Sequence, residues 1–393
     1  MTAPIRTSEE LRDFAATDVH DPIGEDELRD GFSQLLDRAP RSLVRQHAFL
    51  SLPAALSTWL DTGIDCEVGE AVTLFTTGRT RPSAGDAQLD PDLELWRRIR
   101  AEKEARRGVW YRVGEDGEAC RGVRWTHTFV APCSGRLFLA PAMIDDSPPT
   151  ADNPLKSEEA STPRVDRGVV AVCWMGDPLA SLETLRTDGD VHGMLDCELA
   201  RQRSAPQLPV GWHYPPLGGT GVFAEDPRPS EGPVLGCYTT DSGALLVKDA
   251  ALAFLPGTKL RWAWKVDQLP SRVREDRLET HDYLSVAVEF DNGRDLTYYW
   301  SAELPVDAGY HCPVPGWDNR ETHVVVRSGP RDLGLWLDEE RDLYADYARY
   351  VGDPPSRIVH VWLLAVTMFQ GAVGMCEYGR IELECGTTRL RLH

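Results

Sequence analysis

Apolar residues recur along this chain with two different periods. Glu25 and Asp26 precede Leu28, Phe32, Leu35 and Leu36, a stripe at helical spacing that predicts a helix within residues 1–40. From about residue 42 the texture changes. SLVRQHAFLSLP, DCEVGEAVTLFTTGR, GVRWTHTFVAPCSGRLFLA and GVVAVCWMGDP set β-branched and aromatic residues between Gly and Pro turns, the pattern of strands. Two segments interrupt it as helices: LELWRRIRAEKEARR (residues 93–107) and LASLETLRTDGDVHGMLDCELARQR (179–203). Residues 145–167, DDSPPTADNPLKSEEASTPRVDR, read as a polar loop rich in Pro and Ser. Beyond the Pro/Gly-rich stretch SAPQLPVGWHYPPLGGTG the chain is more strongly β. KLRWAWKV, YLSVAVEF, DLTYYWSA, THVVVRS and IVHVWLLAV alternate or run apolar over strand lengths, and RDLYADYARYVG (341–352) is a short helix or turn closed by Gly352.

The expected fold is mainly β, two β-sandwich domains of jelly-roll type with a short helical N-terminal segment. The segment spans residues 1–42, the first sandwich with its inserted helices 43–205, a linker 206–232, and the second sandwich 233–393. A chain of 393 residues is long enough for two such cores.

Charge narrows the partners. Acidic residues number 62 against 42 basic ones, a net charge of −20, which disfavours nucleic acid and anionic membrane and leaves a small-molecule substrate or a glycan. The start, MTAPIRTSEELRDF, is polar, and no apolar run approaches the length of a membrane span, so the expected location is the cytoplasm. Nine cysteines, an odd number without CxxC pairs, read as reduced thiols; Cys66, Cys133 and Cys173 fall in apolar strands. No Cys/His spacing of a zinc site is present, so no metal and no cofactor is expected. Calcium is left open at Asp61, in the Gly-containing turn Trp59–Ile64, where an ordinary Asx-turn is the competing reading.

GxSxG, GxxxxGK[ST], HExxH and GxGxxG are all absent. What stands out is a concentration of polar and aromatic residues between 281 and 347. His281, Asp282 and Tyr283 enter one strand, and Tyr298, Tyr299 and Trp300 end the next. His323 and Arg327 lie on a third, followed by Trp336, Glu340, Arg341, Asp342, Asp346 and Tyr347. Alternate residues of a strand share a face, so His323, Val325 and Arg327 are expected together. One reading is a catalytic cleft. There His281 or His323 transfers protons, Asp282 or Glu340 orients the imidazole, and Arg327 or Arg341 holds negative charge. Tyr299 contacts substrate, and Trp300 and Trp336 wall out water. The competing reading fastens a turn with Arg341 and Asp346 and fills a core with Tyr298 and Trp300. His127, in a strand pattern, reads as a packed histidine.

RWAWKVDQLP (261–270), DYLSVAVEF, LTYYWS, VVVRSG, LGLWLDEERDLYADY and Gly352-Asp353-Pro354-Pro355 make residues 230–385 resemble the bacterial β-sandwich family catalogued as domain of unknown function 3047. That family typically carries an acidic Asp-Ser-Asp-Asn-Thr turn after its penultimate strand. Here Val366-Thr367-Met368-Phe369-Gln370 stands instead, so no polar or metal-binding role of that turn is carried over. WLDTGIDCEVGEAVTLFTTG (59–78), LELWRRI and THTFVAPCSGRLFLA make residues 45–140 similar to the galactose-binding sandwich of bacterial calcium lectins, without their Asp/Asn-rich calcium loop. Two functions are therefore expected in competition. One is an intracellular enzyme of non-oxidative acid/base chemistry (a lyase, isomerase or cyclase) on a small polyol, sugar-like or natural-product substrate. The other is a carbohydrate-binding, lectin-like protein without turnover.

Overall fold

A computed structural model describes residues 7, 10–12, 23–53, 56, 58–77, 109–122, 125–141, 166–203, 206–215, 221–226 and 232–393. The chain forms two compact units: the first takes in Ala16–Ser204, and the second takes in Ala205–His393 together with the Ala3–Ala15 stretch. The fold is mainly β. The expected helix 93–107 and residues 145–165 of the expected polar loop lie outside the described residues.

The first unit begins with α1 (Glu25–Arg38). The Glu27 carboxylate accepts the Gly24 N–H at its start, and three acidic residues in its first turn face the positive end of the helix dipole. Strands β1 (Val44–Leu52), β2 (Leu60–Cys66), β3 (Ala71–Thr76), β4 (Trp110–Val113), β5 (Cys120–Arg121), β6 (Thr126–Val130), β7 (Gly135–Ala140) and β8 (Arg167–Trp174) follow. Helices α2 (Pro178–Thr187), N-capped by Asp177, and α3 (Met194–Arg203) complete the unit. The strands form two sheets ordered β1-β8-β3-β6 and β2-β7-β4-β5. After Arg167 at its start, β8 is apolar to its end, and both of its faces are buried. Val169, Ala171 and Cys173 join the core that includes Ile64, Leu137 and Leu139 of the other sheet, while Val170, Val172 and Trp174 pack with Phe32, Leu182 and Leu195 of the helices.

The second unit is a sandwich of two six-stranded sheets. Its strands are β9 (Phe223–Asp226), β10 (Val234–Thr240), β11 (Gly243–Ala253), β12 (Lys259–Gln268), β13 (Tyr283–Phe290), β14 (Asp295–Ser301) and β15 (Gly309–His311), followed by β16 (Glu321–Ser328), β17 (Leu337–Asp342), β18 (Arg357–Val366), β19 (Val373–Cys385) and β20 (Thr388–Arg391). One sheet runs β17-β12-β19-β10-β9 with β20 on β19; the other runs β11-β18-β13-β14-β16-β15, with β14 and β16 parallel. The alternation of KLRWAWKV sends Leu260, Trp262, Trp264 and Val266 inward. There Trp262 stacks on Tyr298 with centroids 5.7 Å apart, and Trp264 tilts on Trp300 at 5.9 Å. Helix α4 (Leu343–Tyr350) starts where the Asp342 carboxylate accepts the Ala345 N–H.

Residues 206–232, expected as a linker, are instead built into this second sandwich where they are described. Trp212 is buried in its core and donates its indole N–H to the Leu392 carbonyl, His213 bridges Val247, and β9 pairs with β10. Pro209 and Gly211 lie in the turn that leads into buried Trp212, whose N–H donates to the Pro209 carbonyl. Trp262 is fully buried between the sheets. Trp262→Ala is therefore expected to destabilise the second unit by about 3–5 kcal/mol. Urea denaturation followed by near-UV circular dichroism measures this, and a loss below about 1 kcal/mol would contradict the packing described.

Candidate functional site

The second sheet of the second unit has its outer face lined by aromatic and titratable rings. On β13, β14 and β16, Tyr283, Tyr299, His323 and Val325 point away from the core, and Tyr310 of β15 covers them. His281 enters from the 3₁₀ turn Leu278–Thr280 that precedes β13. Its ring stands edge-on to His323 at 4.7 Å, while Tyr310 stacks on His323 at 5.1 Å with planes 8° apart. Both imidazoles are sealed, His281 1% and His323 0% exposed. Of the expected set, the structure brings together His281, His323 and Tyr299.

The details decide what these rings do. His281 Nδ1 lies 2.7 Å from the Glu275 carbonyl, which only accepts, so Nδ1 carries the proton and Nε2 presents a lone pair. That Nε2 lies 3.4 Å from Cys312 Sγ. Burial, helped by the neighbouring His323, pushes the His281 pKa down to about 3. Neither ring nitrogen of His323 has a hydrogen-bond partner, although Nε2 lies 3.4 Å from Glu321 Oε1. Glu321 Oε1 accepts the Tyr283 and Thr297 hydroxyls at 2.9 and 3.2 Å. Cys312 and Glu321 were missed in the sequence: Cys312 follows a short edge strand, and Glu321 opens β16 with nothing local to mark it. No sequence spacing announces this Cys/His grouping, because its members come from three separate elements.

The other expected residues do not converge here. Asp282 is buried and accepts the backbone N–H groups of Phe369 (3.0 Å) and Gln370 (2.8 Å); it holds the turn after β18, and burial raises its pKa to about 7. It therefore does not orient His281. Arg327 was expected on the face of His323, but the β14–β16 register shifts between Val325 and Arg327, pairing Trp300 with Arg327. That bulge turns Arg327 off the His323 face, where Glu339 (2.7 Å) and Asp332 hold it. Trp300 is core rather than cleft wall, 1% exposed, with its indole N–H on the Gly329 carbonyl at 2.9 Å. Arg341 makes a two-pronged pair with Asp346 and reaches Asp307, fastening the start of α4. Glu340 lies on β17 in the opposite sheet, paired with Lys259 and Arg261, whose hydrogen bonds hold its pKa at about 2. In the first unit, Asp61 accepts the Gly63 N–H as an Asx-turn with Arg136 3.5 Å away, and His127 meets the Tyr111 hydroxyl at 3.2 Å.

Trp336 is the exposed aromatic of the expected set, at 43%. It precedes β17 and lies over the outer face of the first sheet. There β19 bulges opposite Ala263, and the bulge carries Gly379. A Cβ on Gly379 would stand 3.3 Å from the indole and 3.5 Å from the Ala263 methyl, so the ring rests on a floor almost free of side chains. Around it stand ion pairs: Arg380 with Asp338 at 3.3 Å, and Lys265 with Glu377 at 2.9 Å and Asp267 at 3.4 Å.

Residues 226–382 match the family described as protein of unknown function DUF3047. The DUF3047 match contains the Cys/His grouping, Asp282 and Trp336, and leaves the first unit and β20 outside it. No curated protein matches the chain. Among solved structures, the chain is similar to the xyloglucanase domain of NopAA, a type three effector from Sinorhizobium fredii, in complex with cellobiose. That likeness is at 7% identity, covers 45% of this chain and 99% of that one, and has a TM-score of 0.27. A structure of promiscuous carbohydrate-binding modules from the β-sandwich superfamily matches at 9% identity, over 86% and 98% of the two chains, with a TM-score of 0.25.

Within the DUF3047 region, Asp282 is the residue whose role differs most clearly from the catalytic expectation. Removing its carboxylate leaves two N–H groups without acceptors, so Asp282→Ala is expected to cost about 1–3 kcal/mol of stability. Thermal and chemical denaturation read the loss. A variant as stable as the parent would show that the turn does not depend on this side chain.

Proposed function

We propose that the protein binds neutral carbohydrate on the outer face of β17, β12 and β19, with Trp336 as the stacking platform. The observation that carries the reading is the half-exposed indole laid over Ala263 and Gly379. An exposed Trp loses the hydrophobic gain of burial, and a flat ring on a smooth floor suits the apolar face of a pyranose. The flanking Asp338–Arg380 and Lys265–Glu377 pairs hold donors and acceptors in fixed positions, which suits adjacent hydroxyl groups. The net charge of −20 favours neutral over anionic glycans.

Acid–base catalysis is a weaker reading. His281 and His323 are 1% and 0% exposed, and Glu340, Arg327 and Arg341 are engaged in ion pairs away from them. A proton-transfer group has to lie within hydrogen-bond reach of its substrate, and these imidazoles face only protein.

Affinity electrophoresis against a panel of neutral and uronic-acid polysaccharides tests the proposal. The expected result is retardation by at least one neutral polysaccharide and a loss of roughly tenfold or more in affinity for Trp336→Ala, about the worth of one stacked ring. The variant is expected to melt as the parent does, because its indole lies on the surface. No retardation by any member, or retardation undiminished in Trp336→Ala, overturns the reading.

A further inference from the structure

The sealed rings on the other sheet pose a separate question. His281 Nε2, Cys312 Sγ and a ring nitrogen of His323 all lie within 4.8 Å of one another, and the three residues are 1%, 2% and 0% exposed. The Glu275 carbonyl fixes the His281 tautomer so that Nε2 presents its lone pair to the cysteine thiol. Such an outer partner on the distal nitrogen is what orients a metal-bound imidazole. His323 has two buried ring nitrogens and no hydrogen bond for either, an arrangement that costs stability unless something else satisfies it. Glu321 adds a buried carboxylate whose only ionic contact among the described residues is His323.

We propose that His281, Cys312 and His323 form a buried binding site for zinc or a similar borderline divalent transition metal, with the Glu321 carboxylate supplying an oxygen for the fourth position. Two separations already fit. A tetrahedral zinc with ordinary bond lengths sets its nitrogen and sulfur ligands about 3.5 Å apart and its nitrogen and oxygen ligands about 3.4 Å apart. The His281–Cys312 and His323–Glu321 distances are both 3.4 Å. Two imidazoles and a thiolate select zinc over magnesium or calcium, which prefer oxygen ligands. The charges also balance: one divalent cation neutralises one thiolate and one carboxylate. Binding replaces the thiol proton, which leaves to solvent as the sulfur–metal bond forms. The site is structural, because ligands this deeply buried leave no open position for a substrate. It ties together the 3₁₀ turn before β13, the end of the edge strand β15, and β16. This reverses the sequence expectation of no metal, and it is independent of the glycan proposal because it lies on the other sheet.

The test uses the full chain expressed in zinc-supplemented medium and purified without chelator. Elemental analysis is expected to find close to one zinc per chain, falling at least fivefold in Cys312→Ala and His323→Gln and unchanged in Cys133→Ala, whose thiol is exposed. Circular dichroism verifies that each variant is folded. Cobalt substitution of the parent is expected to give tetrahedral d–d bands and a thiolate-to-cobalt charge-transfer band, a readout that does not depend on any variant folding. A parent chain that takes up neither metal, cobalt spectra without the thiolate band, or a folded Cys312→Ala that retains the parent's zinc content each overturns the proposal.

Discussion

A β-sheet with both faces out of water has to find a partner for every polar group on those faces, and each unit of this protein contains such a sheet. In the first unit the problem is avoided. The second face of β8 carries Val170, Val172 and Trp174, and helices α1 to α3 cover it with Phe32, Leu182 and Leu195. In the second unit the outer face of β13, β14 and β16 carries Tyr283, Tyr299 and His323; edge strand β15 sets Tyr310 beside His323, and the segments around it bring His281 and Cys312. Hydroxyls are easily satisfied: Tyr283 donates to Glu321, and Tyr310 to Tyr299. Imidazole is harder, because one nitrogen of a neutral ring donates and the other must accept. His281 satisfies this with a carbonyl and a thiol, whereas His323 has no hydrogen-bond partner for either nitrogen. The metal proposed for this site would supply the partner that these residues do not give His323.

Much of the architecture was legible in the sequence because burial imposes a period. The inward Leu260, Trp262, Trp264 and Val266 follow from strict alternation, and the unbroken run in GVVAVCW follows from a strand covered on both sides. The Leu28, Phe32, Leu35 and Leu36 stripe is the buried face of α1. The candidate site was legible only in part. Tyr299 and His323 meet because they lie on one face of neighbouring strands, and the turn before β13 brings His281 beside them. Arg327 does not, because a single bulged residue reverses parity and no local sequence rule places that bulge. Trp300 fills the core, and Asp282 serves a turn far along the chain, so both roles depend on long-range partners. Cys312 and Glu321 escaped for the same reason: what marks them is convergence in space.

The two faces of the second unit therefore ask different questions of the same physics. Charged residues on the outer face of β17, β12 and β19 need no ligand to account for them. Lys259, Arg261 and Glu340 run across paired strands, and an edge strand studded with Asp338, Glu340 and Asp342 is protected from pairing with another chain. Trp336 has no such structural account. Its indole covers Gly379 and Ala263, which need little covering, and nearly half of it remains in water. A Lys or Glu there would guard the edge as well, and would be better solvated. An aromatic ring kept at a solvated edge, on the smoothest part of an otherwise charged face, is better explained by a partner with an apolar face and polar rim, which is how a pyranose presents itself.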